Sequence, residues 1–141
     1  MAVLLGGRAA EHVVFGHFST GAADDLAKTT DIARNMITRY GMGGELGPVT
    51  YESEPDGFLG QMTGTRRLYS EATAREIDVA LRKVVDGAFQ RARAILAENR
   101  ALLEESAREL LRKETLAGDE LAAVLGRVSR EHPRVAAAAP V

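Results

Sequence analysis

The sequence contains no cysteine and no tryptophan, and aromatic residues make up only 5% of its 141 positions. Without thiols, disulfides and thiolate catalysis are excluded, and a metal ion could be bound only by His, Asp or Glu. No apolar run approaches the roughly 20 residues that span a bilayer, and no signal peptide opens the chain. A core with so few rings must be built mainly from aliphatic side chains, which is typical of helix bundles.

The chain also lacks a large excess of either charge. Charged residues make up 27% of the sequence, and the formal net charge is -2. A surface that binds nucleic acid normally needs a basic excess, so we expect no nucleic-acid partner. The size and composition indicate one ordinary soluble domain, and we do not expect this segment to insert into a membrane.

Two signatures of catalytic and nucleotide sites are missing as well. The sequence contains no His-Glu-x-x-His, the helical motif that supplies two zinc ligands and a glutamate base. The tripeptide Gly6-Gly7-Arg8 is not a phosphate-binding loop, because it lacks the Lys-Ser/Thr ending and a preceding strand. We therefore assign no catalytic residue and no cofactor-binding loop within this chain.

Apolar periodicity and capping signals predict an all-α, bundle-like fold. A first helix is expected within residues 3–15, and a second over about residues 22–40. Ser19 or Thr20 could cap the second helix at its start, and Gly41 could end it in the left-handed conformation. One face of this helix should be buried, through Leu26, Ala33, Ile37 and Tyr40.

The segment 41–69 differs in composition from the helices that flank it. It is rich in glycine and contains two prolines, which indicates a long loop. A short strand at residues 47–51 is the one β element that its composition suggests. A loop of this length in a compact domain is usually functional or mobile.

The second half of the chain should again be helical. Ser70 is expected to cap a long helix over residues 71–98, and Asn99 to end it. A further helix follows, and Asp119 could cap a last short helix through Leu125. Residues 127–141 are expected to form a disordered tail. The buried face of the long helix should consist of Ala74, Ile77, Leu81, Val84, Ala88, Ala92 and Ile95.

Two adjacent aspartates at the start of the second helix are the candidate site residues. On a helical wheel Asp25 falls at the edge of the apolar arc, whereas Asp24 points to the wet side. A carboxylate at the edge of a buried face needs a cation, hydrogen bonds or a metal ion. Spacing alone favours the simpler explanation, an aspartate that interacts with the helix dipole.

His12 and His17 invite a metal-binding interpretation together with Glu11. Their spacing of five residues does not place both rings on one helical face. Two surface histidines are the better explanation. His132 falls in the expected disordered tail and carries no argument.

Several segments resemble the FtsH family of ATP-dependent zinc metalloproteases. Residues 4–11 (LLGGRAAE) with Phe15-Gly16, and residues 19–26 (STGAADDL), resemble the family's segment around its third zinc ligand. The likeness continues in order over roughly residues 3–126. It includes Ala33-Arg34 with Met36, residues 40–42 (YGM), 46–48 (LGP) and 58–60 (FLG), the start of the long helix, and residues 114–116 (ETL).

The resemblance implies a metal role for Asp25 alone. In the family's motif the residue at this position is the third zinc ligand, while Asp24 stands where the family usually has Asn. The family implies zinc and ATP in the complete enzyme, protein substrates, six-membered rings, and a membrane anchor with this domain on the cytoplasmic side. The glycines of residues 6–7 would allow close packing beside the ligand helix.

The same resemblance implies that residues 1–126 are the C-terminal part of a peptidase domain. Met1 falls inside what would be a helix of that domain, and the two histidine ligands would lie upstream. We therefore expect the chain alone to be inactive and to bind no metal. We also expect it to expose an apolar stripe on the ligand helix, with either self-association or a mobile segment before Ser19 as the result. The alternative is a truncated, non-catalytic module for helical interaction or oligomerisation.

Overall fold

The computed structural model describes residues 1–52 and 69–129. In these two ranges there are five α-helices and one short 3-10 turn at Gly44–Leu46, and no strand. The predicted all-α fold is therefore confirmed. In chain order the helices are α1 (Gly6–Phe15), α2 (Ala23–Thr38), α3 (Glu71–Glu98), α4 (Arg100–Lys113) and α5 (Asp119–Gly126).

Helix α3 is the central element, and α1 and α2 both pack against it. It has the predicted bounds, with Ser70 Oγ accepting a hydrogen bond from the Thr73 amide at 3.2 Å. At the other end the Asn99 side chain donates to the Ile95 carbonyl at 2.9 Å. The predicted apolar face of α3 is confirmed, since each of its seven members is buried or half-buried.

The core cluster joins α2 to α3. Ile37, Leu46 and Ile77 form it, and Ile77 is only 1% exposed. Ala33 and Ile37 have no exposed surface, so α3 of the same chain covers most of the stripe that we expected to be open. That expectation was wrong. Tyr40 was also wrongly assigned to the buried face: it is 64% exposed, because α2 ends at Thr38 and the chain leaves the helical path.

The end of α2 is set by Gly41, as predicted. Its φ of +63° lies in the left-handed region, and the next amide, that of Met42, donates to the Met36 carbonyl at 2.9 Å. The segment that follows is a loop, so the suggested strand at 47–51 is wrong. In it the amides of Tyr51 and Glu52 both donate to the Thr38 carbonyl, at 2.7 and 3.2 Å. The other residues of the predicted long loop, 53–68, lie outside the described residues.

Helices α4 and α5 contain no buried residue, and surface ion pairs such as Lys113–Glu120 join them. Arg127 contacts both oxygens of Glu105, at 2.7 and 2.6 Å. Asp119 is the first residue of α5 rather than its cap, because Gly118, at φ +55°, precedes the helix. The predicted tail begins at residue 127, and its part from 130 onward lies outside the described residues.

Candidate metal-ligand helix

Asp25 lies in the first turn of α2, together with Asp24. Asp25 is half-buried and Asp24 is exposed, as the helical wheel predicted. The buried hydroxyl of Thr29 donates to the backbone carbonyl of Asp25 at 2.7 Å. Within residues 1–52 and 69–129, no hydrogen bond or ion pair occupies the Asp25 carboxylate. Its oxygens are therefore open to a ligand.

The start of α2 lacks the side-chain cap that the sequence predicted. The residue before the helix is Ala22, and the side chains of Ser19 and Thr20 accept no hydrogen bond from the first helical amides. The Thr20 backbone carbonyl accepts from the Ala23 amide at 3.2 Å. Unpaired amides at a helix start carry partial positive charge, which favours nearby anions. Both carboxylates of the first turn benefit from this field, and the dipole explanation for Asp25 is compatible with a metal role.

Ser19 instead bonds to α1, through Glu11. The Ser19 amide donates to Glu11 Oε2 at 3.1 Å, and its hydroxyl donates to Glu11 Oε1. The same hydroxyl accepts from the Gly21 amide at 3.2 Å. The hydrogen bonds from Ser19, with smaller help from the charges of Arg8 and His17, lower the pKa of Glu11 below its ordinary value.

A ring cluster holds the other side of this connection. The Phe18 ring lies 5.3 Å from the His12 ring and 6.1 Å from the Phe89 ring of α3. The Arg8 guanidinium lies over Phe18 at 4.1 Å, a cation–π contact. His12 is thus half-buried among rings, which corrects the prediction of a surface histidine. His17 is exposed, as predicted, and stacks on Phe15.

An apolar groove of about 380 Å³ opens next to this cluster, between α1, α2 and α3. It explains why Leu26 is only half-buried whereas Ala33 and Ile37 are fully covered. The glycines of residues 6–7 do not serve close packing here, since a Cβ built at either position meets no atom within 4 Å. The groove is lined mainly by Leu5, Phe18, Leu26, Leu81, Val85 and Phe89.

The described residues do not form a complete set of metal ligands. Among them, no three His, Cys, Asp or Glu side chains come together in a metal-binding group. A structural or catalytic zinc needs at least three protein ligands. Asp25 fits as one such ligand because its carboxylate is half-buried and has no partner among residues 1–52 and 69–129. The remaining ligands would have to come from outside these residues.

None of the helices in residues 1–52 and 69–129 is both long and apolar enough to cross a bilayer.

The chain is similar to a large group of bacterial zinc proteases. The family model described as Peptidase family M41 matches residues 1–124. An "ATP-dependent zinc metalloprotease FtsH" from Paraburkholderia phymatum is 52% identical over 91% of this chain and 20% of its own length. "FtsH 4" from Synechocystis sp. is 48% identical over 91% of this chain, and the Thermus thermophilus protein is 44% identical over 94%. The chain spans about a fifth of the length of these relatives.

Proposed function

Because the chain belongs to peptidase family M41, we propose that it supplies one zinc ligand, Asp25, to an ATP-dependent zinc metalloendopeptidase. The observation that carries the proposal is the half-buried carboxylate of Asp25 in the first turn of α2, which has no hydrogen bond or ion pair within the described part of the chain. The neighbouring Asp24 is exposed and points away from the covered face. Asp25 is therefore the better ligand of the two.

In this proposal the residues of the chain bind and orient rather than transfer protons. Asp25 would contribute one carboxylate to the metal, with its backbone carbonyl tied to Thr29 at 2.7 Å. Zinc, when bound, supplies Lewis acidity toward the peptide carbonyl and activates water. Two histidines and the glutamate base would come from outside residues 1–52 and 69–129, since no metal-binding group forms there.

The partners of the whole protein follow from the same family membership and are part of the proposal. The relatives' names give ATP dependence and zinc. We propose protein substrates from membranes and from solution, a ring of six subunits, and a membrane anchor that leaves this domain on the cytoplasmic side. ATP would be bound by a module outside this chain.

The test uses a hybrid in which this chain replaces the matching segment of the Paraburkholderia phymatum relative. Asp25→Asn should lower casein degradation about 100-fold or more and remove the bound zinc, while ATP hydrolysis continues. Asp24→Asn is the matched control and should change each quantity by less than about twofold. If Asp24→Asn abolished proteolysis and Asp25→Asn did not, the ligand assignment would be wrong.

A non-catalytic interaction module remains the second candidate. It is favoured by α4 and α5, which bury no residue and expose leucines such as Leu111, at 83%. A hybrid that folds and hydrolyses ATP but holds no zinc and cleaves no casein would support it. Zinc added to the isolated chain should give no cleavage; chelator-sensitive cleavage by the chain alone would contradict the incomplete ligand set.

A further inference from the structure

We propose that Glu11 is a positioning residue for Asp25: it fixes the connection between α1 and α2 and, through it, the first turn of α2. This inference rests on the proposed function, since it concerns the same ligand. Both Glu11 carboxylate oxygens accept from Ser19, one from the amide at 3.1 Å and one from the hydroxyl. Glu11 is therefore engaged on both oxygens.

Two more hydrogen bonds lie along the connection between Ser19 and α2. The Ser19 hydroxyl accepts from the Gly21 amide at 3.2 Å, and the Ala23 amide, the first of α2, donates to the Thr20 carbonyl at 3.2 Å. Consecutive hydrogen bonds thus connect α1 to the first turn of α2. Asp25 lies two residues beyond the last of them.

The first turn of α2 depends on contacts from outside the helix. It has no side-chain cap, and of residues 20–25 only Ala22 is buried. Uncapped helix ends fray, because their first amides lack partners. The buried residues within α2 itself begin at Thr29, one turn after Asp25. The core therefore fixes the body of the helix but not the turn that carries the ligand.

The ring cluster holds the same connection from the other side. Phe18 directly precedes Ser19 and packs between Arg8 of α1 and Phe89 of α3. Glu11 fixes the polar atoms of the connection while Phe18 fixes its apolar side. The two contacts act on adjacent residues, so the direction in which α2 begins is set from both α1 and α3.

Amide hydrogen exchange of the isolated chain tests the contact without any metal. With Glu11→Ala, amides of residues 19–24 should exchange about tenfold faster, whereas amides in the middle of α3 should not change. Ser19→Ala should give a similar effect. The effect of the double variant should be smaller than the sum of the two single effects, because both single variants remove the bond between the Ser19 hydroxyl and Glu11. Ser19→Ala keeps the bond from the Ser19 amide. Full additivity, or unchanged exchange at residues 19–24, would overturn the proposal.

A matched control comes from the far end of the molecule. Glu105 also accepts on both oxygens, from Arg127, although it is exposed whereas Glu11 is half-buried. Glu105→Gln should leave exchange at residues 19–24 unchanged. Glu11→Gln, which keeps one acceptor oxygen, should fall between the wild type and Glu11→Ala. Circular dichroism of every variant shows whether helicity is retained.

The second readout is the zinc affinity of the hybrid protein. Loss of a group that orients a metal ligand typically weakens binding 10–100-fold. Glu11→Ala should raise the zinc Kd about tenfold with ATP hydrolysis unchanged, and Glu105→Gln should leave the Kd unchanged. Faster exchange with an unchanged Kd would show a merely structural role and overturn the positioning. If instead Asp25→Asn kept its zinc, the proposed function would fail while the exchange result stood.

Discussion

Replacement of Ile77 by Ala should strongly destabilise the packing of α2 on α3. Ile77 is 1% exposed and lies where α3 meets Ile37 of α2 and Leu46 of the following turn. The change removes three carbon atoms at about 0.8 kcal/mol each, and the cavity adds to that loss. We expect the free energy of unfolding to fall by about 3–4 kcal/mol, which is a large share of a typical domain's stability.

Urea unfolding followed by two signals measures this loss. Circular dichroism reports the helices, and tyrosine fluorescence reports the core, because Tyr51 and Tyr69 pack against this cluster and the chain has no tryptophan. Coincident transitions would justify two-state analysis. Val79→Ala, on the same helix but 52% exposed, is the control and should cost less than about 0.5 kcal/mol. A loss below about 1 kcal/mol for Ile77→Ala would refute the assigned packing.

Two further predictions concern the loop after α2 and the Glu11–Ser19 contact. Gly41→Ala should destabilise by about 1–2 kcal/mol in urea unfolding, because φ is +63° and a Cβ would meet the loop backbone at 3.3 Å. Gly44→Ala, at φ +58° with free space around it, should lower the stability less. Equal losses of stability for the two variants would show that the contact of the Gly41 Cβ with the loop backbone has no effect. Glu11 has a lowered pKa, so its contribution is present at neutral pH and is lost as the pH falls through the folded-state pKa. The stability difference between wild type and Glu11→Gln should therefore shrink as the pH is lowered through the folded-state pKa, and a difference that grows in acid would contradict the direction of the pKa shift.

The helices could be predicted where their signals are local. Ser70 and Asn99 bound α3 because each bonds to a backbone group within four residues. The period of apolar residues likewise indicated the buried face of α3. The burial of Tyr40 was wrongly predicted because a helical wheel applies only as far as the helix continues, and α2 ends two residues before Tyr40.

The candidate site was predictable only in part. The helical wheel correctly predicted that Asp24 is exposed and Asp25 half-buried, since both lie on one helix. The Glu11–Ser19 contact was missed because it joins two elements across a turn, and no periodic pattern marks it. The setting of His12 was missed for a similar reason: Phe89 is remote in sequence and reaches it only when α3 packs on α1. A glutamate in α1 followed by a serine just before the next helix is the signal that could have suggested the contact.

The proposed ligand role of Asp25 would account for the different interactions that stabilise the two ends of α2. Ile37 is buried against α3 near the C-terminal end, so the body of the helix depends on apolar packing. In the proposed function Asp25 has to be accessible to a metal, and its charge could not lie in that core without a large desolvation cost. The first turn is therefore held by hydrogen bonds and ring contacts that leave the carboxylate open. Core changes such as Ile77→Ala should then lower stability more than zinc affinity, whereas changes at Glu11 should do the reverse.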